Sequence, residues 1–174
     1  MALKAFFPMG LSDTLRLAFP DLPSVEKPLF IPSSEALDPY WIAGFANGDG
    51  SFALGSEPSN SPGSFKSDPC FSIGQHARDE VLLNRVQSAL RCGYLTGPNK
   101  DNCLRLQVTG ISKMTDLIVP FFTAHILHGA KALDFRDFCK GVTIINSGGH
   151  RTKAGMQQLI TLHRGMNSTR TSFK

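Results

Sequence analysis

Asp49 is the single acid in an otherwise apolar run, WIAGFANGDGSF, that begins at Trp41. The run is dense in small residues: Ala43, Gly44, Ala46, Gly48 and Gly50. Gly44 and Gly48 stand four apart and so share one face of a helix. Each helix glycine costs about 0.5–1 kcal/mol relative to alanine, and a close helix–helix contact is a reason to keep two. Gly50 is expected to stop the helix by adopting a positive φ. Asp49 is then the last helical residue. A carboxylate there meets the negative end of the helix dipole and its free carbonyls. A hard divalent cation removes that conflict, because Mg²⁺ takes one or two carboxylates together with water and phosphate oxygens. Metal-assisted phosphodiester hydrolysis is the chemistry such a site supports. The plainer alternative is a solvated aspartate with no ligand.

The elements around this run follow from pattern. Asp38 before Pro39 reads as an N-cap with proline at the first helical position, opening a helix to about Gly48. Ser51–Gly55 and Cys70–Gln75 are strand candidates, joined by the polar SEPSNSPGSFKSD. In 79–91, Val81, Leu82, Val86 and Leu90 fall at helical spacing. Residues 93–96 and 103–109 form a second hairpin around GPNKDN, and three further helices cover 112–121, 130–146 and 152–164. Two hairpins, each followed by a helix, imply an α+β domain: one four-stranded antiparallel sheet with helices on one face. The other face is either solvated or binds something. Arg105, Gln107, Thr109, Ser72 and Gln75 are placed there by this reading, and such side chains suit the edges of bases in a major groove.

Residues 1–36 differ in kind. LSDTLRLAF reads as a short helix capped by Ser12, and PDLPSVEKPLFIP is too proline-rich for helix or interior strand. It reads as an extended leader ahead of a domain at 37–167, with 168–174 as a tail. The formal charge of +4 permits a polyanionic partner without requiring one. Cys70, Cys92, Cys103 and Cys139 contain no CxxC pair, so a structural zinc site is not expected, and buried free thiols are. No run is long enough to span a membrane. The start, MALKAFFPMG, has neither the layout of a secretory signal nor that of an import presequence.

The nine residues Ile42-Ala43-Gly44-Phe45-Ala46-Asn47-Gly48-Asp49-Gly50, flanked by Trp41 and Ser51-Phe52, resemble the LAGLIDADG motif of homing endonucleases. FSIGQHARDEVLL, GAKALDFRDF and HRTKAGMQQLITLHRGMN resemble, in order, the family's second-strand and helix junction, its stretch carrying a basic active-site residue, and its final helix. The resemblance implies an αββαββα domain that cleaves a specific site in double-stranded DNA with Mg²⁺ or another divalent cation such as Mn²⁺. It implies that Asp49 and the Gly48 carbonyl hold the metal, that Gln75 organises water, and that Lys131 stands near the scissile phosphate. Ala43, Gly44, Asn47 and Gly48 would pack against a second motif helix. Lys66, Ser72, Arg78, Lys100, Arg105, Gln107 and Thr109 would contact DNA.

The family works with two motif helices, and this sequence holds one. Residues 10–28 resemble the linker that joins the halves of double-motif relatives. The chain therefore reads as a second half that pairs with its own copy or with a separate first half, or as an inactive DNA-binding remnant. Some family members bind intron RNA as maturases, which needs the fold but not Asp49. The resemblance also places the gene in an organelle intron, with the mitochondrion first and the chloroplast second.

Overall fold

A computed structural model of the chain describes residues 12–20, 35–55, 57–58, 65–66 and 68–170, with the side chains of residues 16, 57, 58, 65 and 66 outside the description. The proline-rich leader expected at 20–32 falls almost wholly outside the described residues. The chain divides into Met1–Ser34 and Glu35–Lys174. In the first unit, α1 is the short helix Asp13–Ala18, with Ser12 Oγ accepting the Leu15 N–H at 3.4 Å.

The second unit is α+β. Helix α2 (Pro39–Asp49) leads into β1 (Gly50–Ala53), and β4 (Cys70–His76) returns antiparallel beside it. Between them a small two-stranded ladder, β2 (Glu57–Pro58) with β3 (Phe65–Lys66), extends the hairpin where sequence pattern gave no strand. Helix α3 (Glu80–Leu90) is followed by β5 (Tyr94–Thr96) and β6 (Cys103–Thr109). The four-stranded sheet runs β1-β4-β6-β5, antiparallel throughout. Buried residues of α3 are Leu83, Val86 and Leu90, whereas Val81 faces solvent.

Residues 111–124 form a helix of three segments: α4 (Ile111–Lys113), a π-helical turn (Met114–Ile118) and α5 (Val119–Ala124). Pro120 has no N–H to give and crowds the carbonyl four residues back, so the widened turn before it is the adjustment proline demands. Helix α6 (Gly129–Asn146) and helix α7 (Lys153–Arg164) complete the fold.

The core lies between the sheet and these helices. Phe52 has ring centroids of Phe71, Phe122 and Phe138 at 5.0, 5.4 and 5.2 Å, a spacing typical of favourable aromatic pairs. Strand parity decides which side chains join them. Phe71, Ile73, Leu104, Leu106 and Val108 are buried on the helix side. Their alternates, with Ser72 opposite Gln107 and Gly74 opposite Arg105, form the opposite face, uncovered among the described residues. All four cysteines are free, but only Cys92 is buried, with Cys70, Cys103 and Cys139 partly exposed. Burial pushes the Cys139 thiol up to about 11.

Candidate active site

Helix α2 starts where Asp38 Oδ1 accepts the N–H groups of Tyr40 and Trp41, at 2.7 and 3.0 Å, with Pro39 in the first turn. One side of the helix, Ile42, Ala43 and Ala46, is buried in the chain's own core. The opposite side carries Trp41, Gly44 and Gly48, all exposed, and Trp41 stacks on Phe45 with centroids 5.2 Å apart. A Cβ placed on Gly44 or Gly48 meets nothing within 4 Å. Packing among the described residues therefore does not explain either glycine.

Gly50 corrects an expectation. Its φ of −77° is extended, so no left-handed turn ends the helix. Its N–H donates to the Ala46 carbonyl, and a Cβ here would collide with that same oxygen. Glycine is required for close approach, and the chain passes directly from helix into β1.

Two distant segments converge on this junction. Gln75 Nε2, at the end of β4, donates to Asp49 Oδ2 at 2.8 Å. Lys131 Nζ, in the first turn of α6, donates to the Gly50 carbonyl at 2.5 Å. The His128 backbone N–H donates to Asn47 Oδ1 at 2.8 Å. Asp49, Gln75 and Lys131, chosen from far-apart stretches of sequence, thus meet at the end of one helix. A cleft of about 650 Å³ opens beside them, lined in part by Asn47, Ser51, His128, Lys131, Asn167 and Ser168.

A divalent cation fits this end only in part. Asp49 is exposed, and its contact with Gln75 is to an amide, not a cation. The Gly48 carbonyl lies in the last turn, where helix carbonyls lack intrahelical partners. Among the described residues, no group of three or more His, Cys, Asp or Glu could hold a metal. One carboxylate and one carbonyl suit a hard cation when phosphate, water or another chain supplies the remaining oxygens.

The uncovered sheet face has its own correction. Gln75 pairs in register with Leu104, so it belongs to the core-side set and emerges at the Asp49 end. Ser72 and Gln75 are three apart on a regular strand and cannot share a face. Ser72 is on the uncovered face but only 8% exposed, hemmed in by Ser51 and Gln107 on the neighbouring strands. Arg105 is exposed, and Gln107 and Thr109 are half-buried beside it. Lys100 is exposed in the β5–β6 loop. Arg78 is exposed and lies 3.5 Å from Asp79, an exposed and solvent-screened pair. The Lys66 side chain is outside the described residues. Tyr94, Thr96 and His76, which pattern reading passed over, line the same face through their pairings with Gln107, Arg105 and Cys103. None of these positions is acidic.

Ala43 is the remaining correction. At 3% exposure it packs inward, so the open helix face consists of Trp41, Gly44 and Gly48, with Asn47 at its margin. Asn167, Asp134 and Arg170 were also missed. Asn167 Nδ2 donates to the Phe52 carbonyl at 2.8 Å and its backbone N–H to Asp134 Oδ1 at 3.0 Å. Arg170 donates to Asp134 at 2.7 Å and to Asp137 at 2.8 Å. The one local signal was an asparagine directly after a helix-ending Gly-Met, a residue type that tolerates the left-handed φ of 56° found there.

Known proteins resemble this chain in sequence and in fold. A relative from Neurospora crassa, described as probable intron-encoded endonuclease 3, is 28% identical over 160 residues, covering 92% of this chain and 30% of its own length. The solved structure of the I-SmaMI LAGLIDADG homing endonuclease bound to cleaved DNA superimposes with a TM-score of 0.87 at 36% identity, covering 97% of this chain and 56% of that one. I-SmaMI bound to uncleaved DNA in the presence of calcium ions gives 0.86 at 35% identity, covering 95% and 56%. This chain therefore spans about a third of the curated relative and a little over half of the solved chain. The family profile described as LAGLIDADG endonuclease matches residues 42–142, and the chain belongs to that family.

Proposed function

We propose that this chain is one half of a site-specific DNA endonuclease that hydrolyses phosphodiester bonds with a divalent cation, Mg²⁺ or Mn²⁺, and that a second LAGLIDADG domain completes it. The observation that carries this reading is the Gln75–Asp49 hydrogen bond at the foot of the open Gly44–Gly48 face. The catalytic carboxylate and the unpacked helix face are on the same element.

When bound, the cation supplies Lewis-acid stabilisation and a more acidic water. Asp49 and the Gly48 carbonyl would hold it. Gln75 fixes one carboxylate oxygen and leaves Oδ1 without a hydrogen bond among the described residues. Lys131 brings a positive charge to the same junction, suited to the charge that develops on a phosphate. Arg105, Gln107 and Thr109 present donors and acceptors to a groove, while Lys100 and Arg78 suit backbone phosphates. A single carboxylate is a sparse metal site, which supports a partner helix bringing its own. That partner is a second copy of this chain or a separate first-half domain. The intron-encoded description of the relative supports an organelle gene, with the mitochondrion as our assignment.

The test is cleavage of duplexes spanning candidate intron-insertion sites in Mg²⁺, by the chain alone and mixed with a first-half domain. Wild type cuts the duplex in one of these settings and Asp49→Asn does not. Absence of cleavage in both, with intron RNA bound in preference to duplex DNA, would contradict the reading.

A further inference from the structure

We propose that Asn167 is a positioning residue that keeps Lys131 on the Gly50 carbonyl beside Asp49, a role that rests on the endonuclease reading for its catalytic meaning. Strand β1 lies at the edge of the sheet, with β4 as its one neighbour there. Its outer carbonyls have no strand partner among the described residues. Two of them, on Gly50 and Phe52, accept side-chain donors instead: Lys131 Nζ and Asn167 Nδ2. Both donors trace back to α6. Lys131 is in that helix, and Asn167 is tied to it through its own N–H on Asp134 Oδ1. Asp134 follows Lys131 by three residues and so sits on the same helix face one turn later.

The result is a closed frame: β1 to Asn167, Asn167 to Asp134, Asp134 along α6 to Lys131, and Lys131 back to β1. Arg170 locks its far corner by bridging Asp134 and Asp137, with its side chain 7% exposed. Without the Asn167 carboxamide, the outer edge of β1 at these two carbonyls is held by the flexible stem of Lys131. The lysine then has no reason to stay at one point. Asn167 touches no substrate in this scheme. It sets the separation between the helix that carries the positive charge and the strand that follows the carboxylate.

The experiment is competitive amine labelling of the full chain with limiting acetic anhydride, read peptide by peptide by mass spectrometry. Lys113 and Lys153, both exposed, serve as internal references. Asn167→Gly keeps the left-handed backbone and removes the carboxamide. Asn167→Asp keeps the size and the backbone N–H but cannot donate to Phe52. In either variant Lys131 labelling rises about fivefold, the size of one ordinary hydrogen bond, while both references stay constant. In the cleavage-competent assembly the same variants slow single-turnover cleavage by at least the same factor, with duplex affinity in Ca²⁺ unchanged. Equal Lys131 labelling in wild type and a folded variant overturns the proposal. Failure of both variants to fold also overturns it, since Asn167 is then a folding residue. The endonuclease reading fails separately: wild-type chain that never cleaves, with Lys131 labelling still dependent on Asn167, leaves the frame standing and removes its catalytic meaning.

Discussion

Two aspartates of this chain, Asp49 and Asp134, sit in opposite circumstances. Asp134 is 4% exposed, accepts Arg170 at 2.7 Å and the Asn167 N–H at 3.0 Å, and is satisfied within the chain. Asp49 is exposed at the wrong end of a helix dipole, with an amide as its hydrogen-bond partner. Burial of a carboxylate demands a paired cation, and Asp134 has one. Exposure tolerates a carboxylate whose charge is left for something outside the chain. The same contrast holds across α2: Ile42, Ala43 and Ala46 are spent on the chain's own core, whereas a Cβ on Gly44 or Gly48 would meet nothing among the described residues. What the chain completes by itself is fold. What it leaves open is, on our reading, function.

This contrast can be broken at either aspartate. Asp49→Asn should lower cleavage by at least about a thousandfold, since several kcal/mol of metal-borne transition-state stabilisation is lost. The same change should leave the unfolding free energy within about 0.5 kcal/mol, as for other exposed substitutions. Arg170→Met should act on stability first. It strands Asp134 as an unpaired buried carboxylate and should cost about 3–5 kcal/mol in urea or thermal unfolding.

Smaller effects sharpen the comparison. Gly44→Ala should stabilise the isolated chain by about 0.5–1 kcal/mol, because its Cβ enters open space and the helix gains propensity. If the open face is an interface, the same methyl should weaken association while the melting temperature rises. A fall in melting temperature would mean the glycine serves this chain's own packing.

Asp137 gives the smallest effect. Burial opposes its charge, but hydrogen bonds from Arg170 and Lys140 outweigh burial and hold its carboxyl below the ordinary value of 3.8. A depressed folded pKa adds stability that is present above the unfolded value and is lost as pH falls through the folded one. Stability should therefore decline below about pH 4, and Asp137→Asn should flatten that acid limb while leaving neutral-pH stability lower.

Much of the molecule was readable from local pattern because local rules decided it. Asp38-Pro39 fixed the start of α2, and the alternation of Leu104, Leu106 and Val108 fixed the faces of β6. The order of helices and strands, and the four-stranded antiparallel sheet, follow the expected plan. The failures came where the deciding contact is distant in sequence. Gly50 was read from a rule about φ, but a clash with Ala46 decides it. Gln75 was set on the open face, but the register with Leu104 turns it toward Asp49. Ala43 was grouped with its small neighbours, although the helix rotates it into the core. The Asn167–Asp134–Arg170 frame spans more than thirty residues of sequence, and no short window contains it. The trio Asp49, Gln75 and Lys131 was found through family resemblance, which carries long-range contacts that periodicity does not.

The most direct test of the half-enzyme reading is the mass of the protein–DNA complex in Ca²⁺, measured by light scattering with wild type and with Gly44→Leu, each with and without a first-half domain. The account predicts two LAGLIDADG domains per duplex for wild type, either two copies of this chain or one of each kind, and one for Gly44→Leu. A single chain on the duplex that cuts it once Mg²⁺ replaces Ca²⁺, unaffected by leucine at position 44, would contradict the half-enzyme reading.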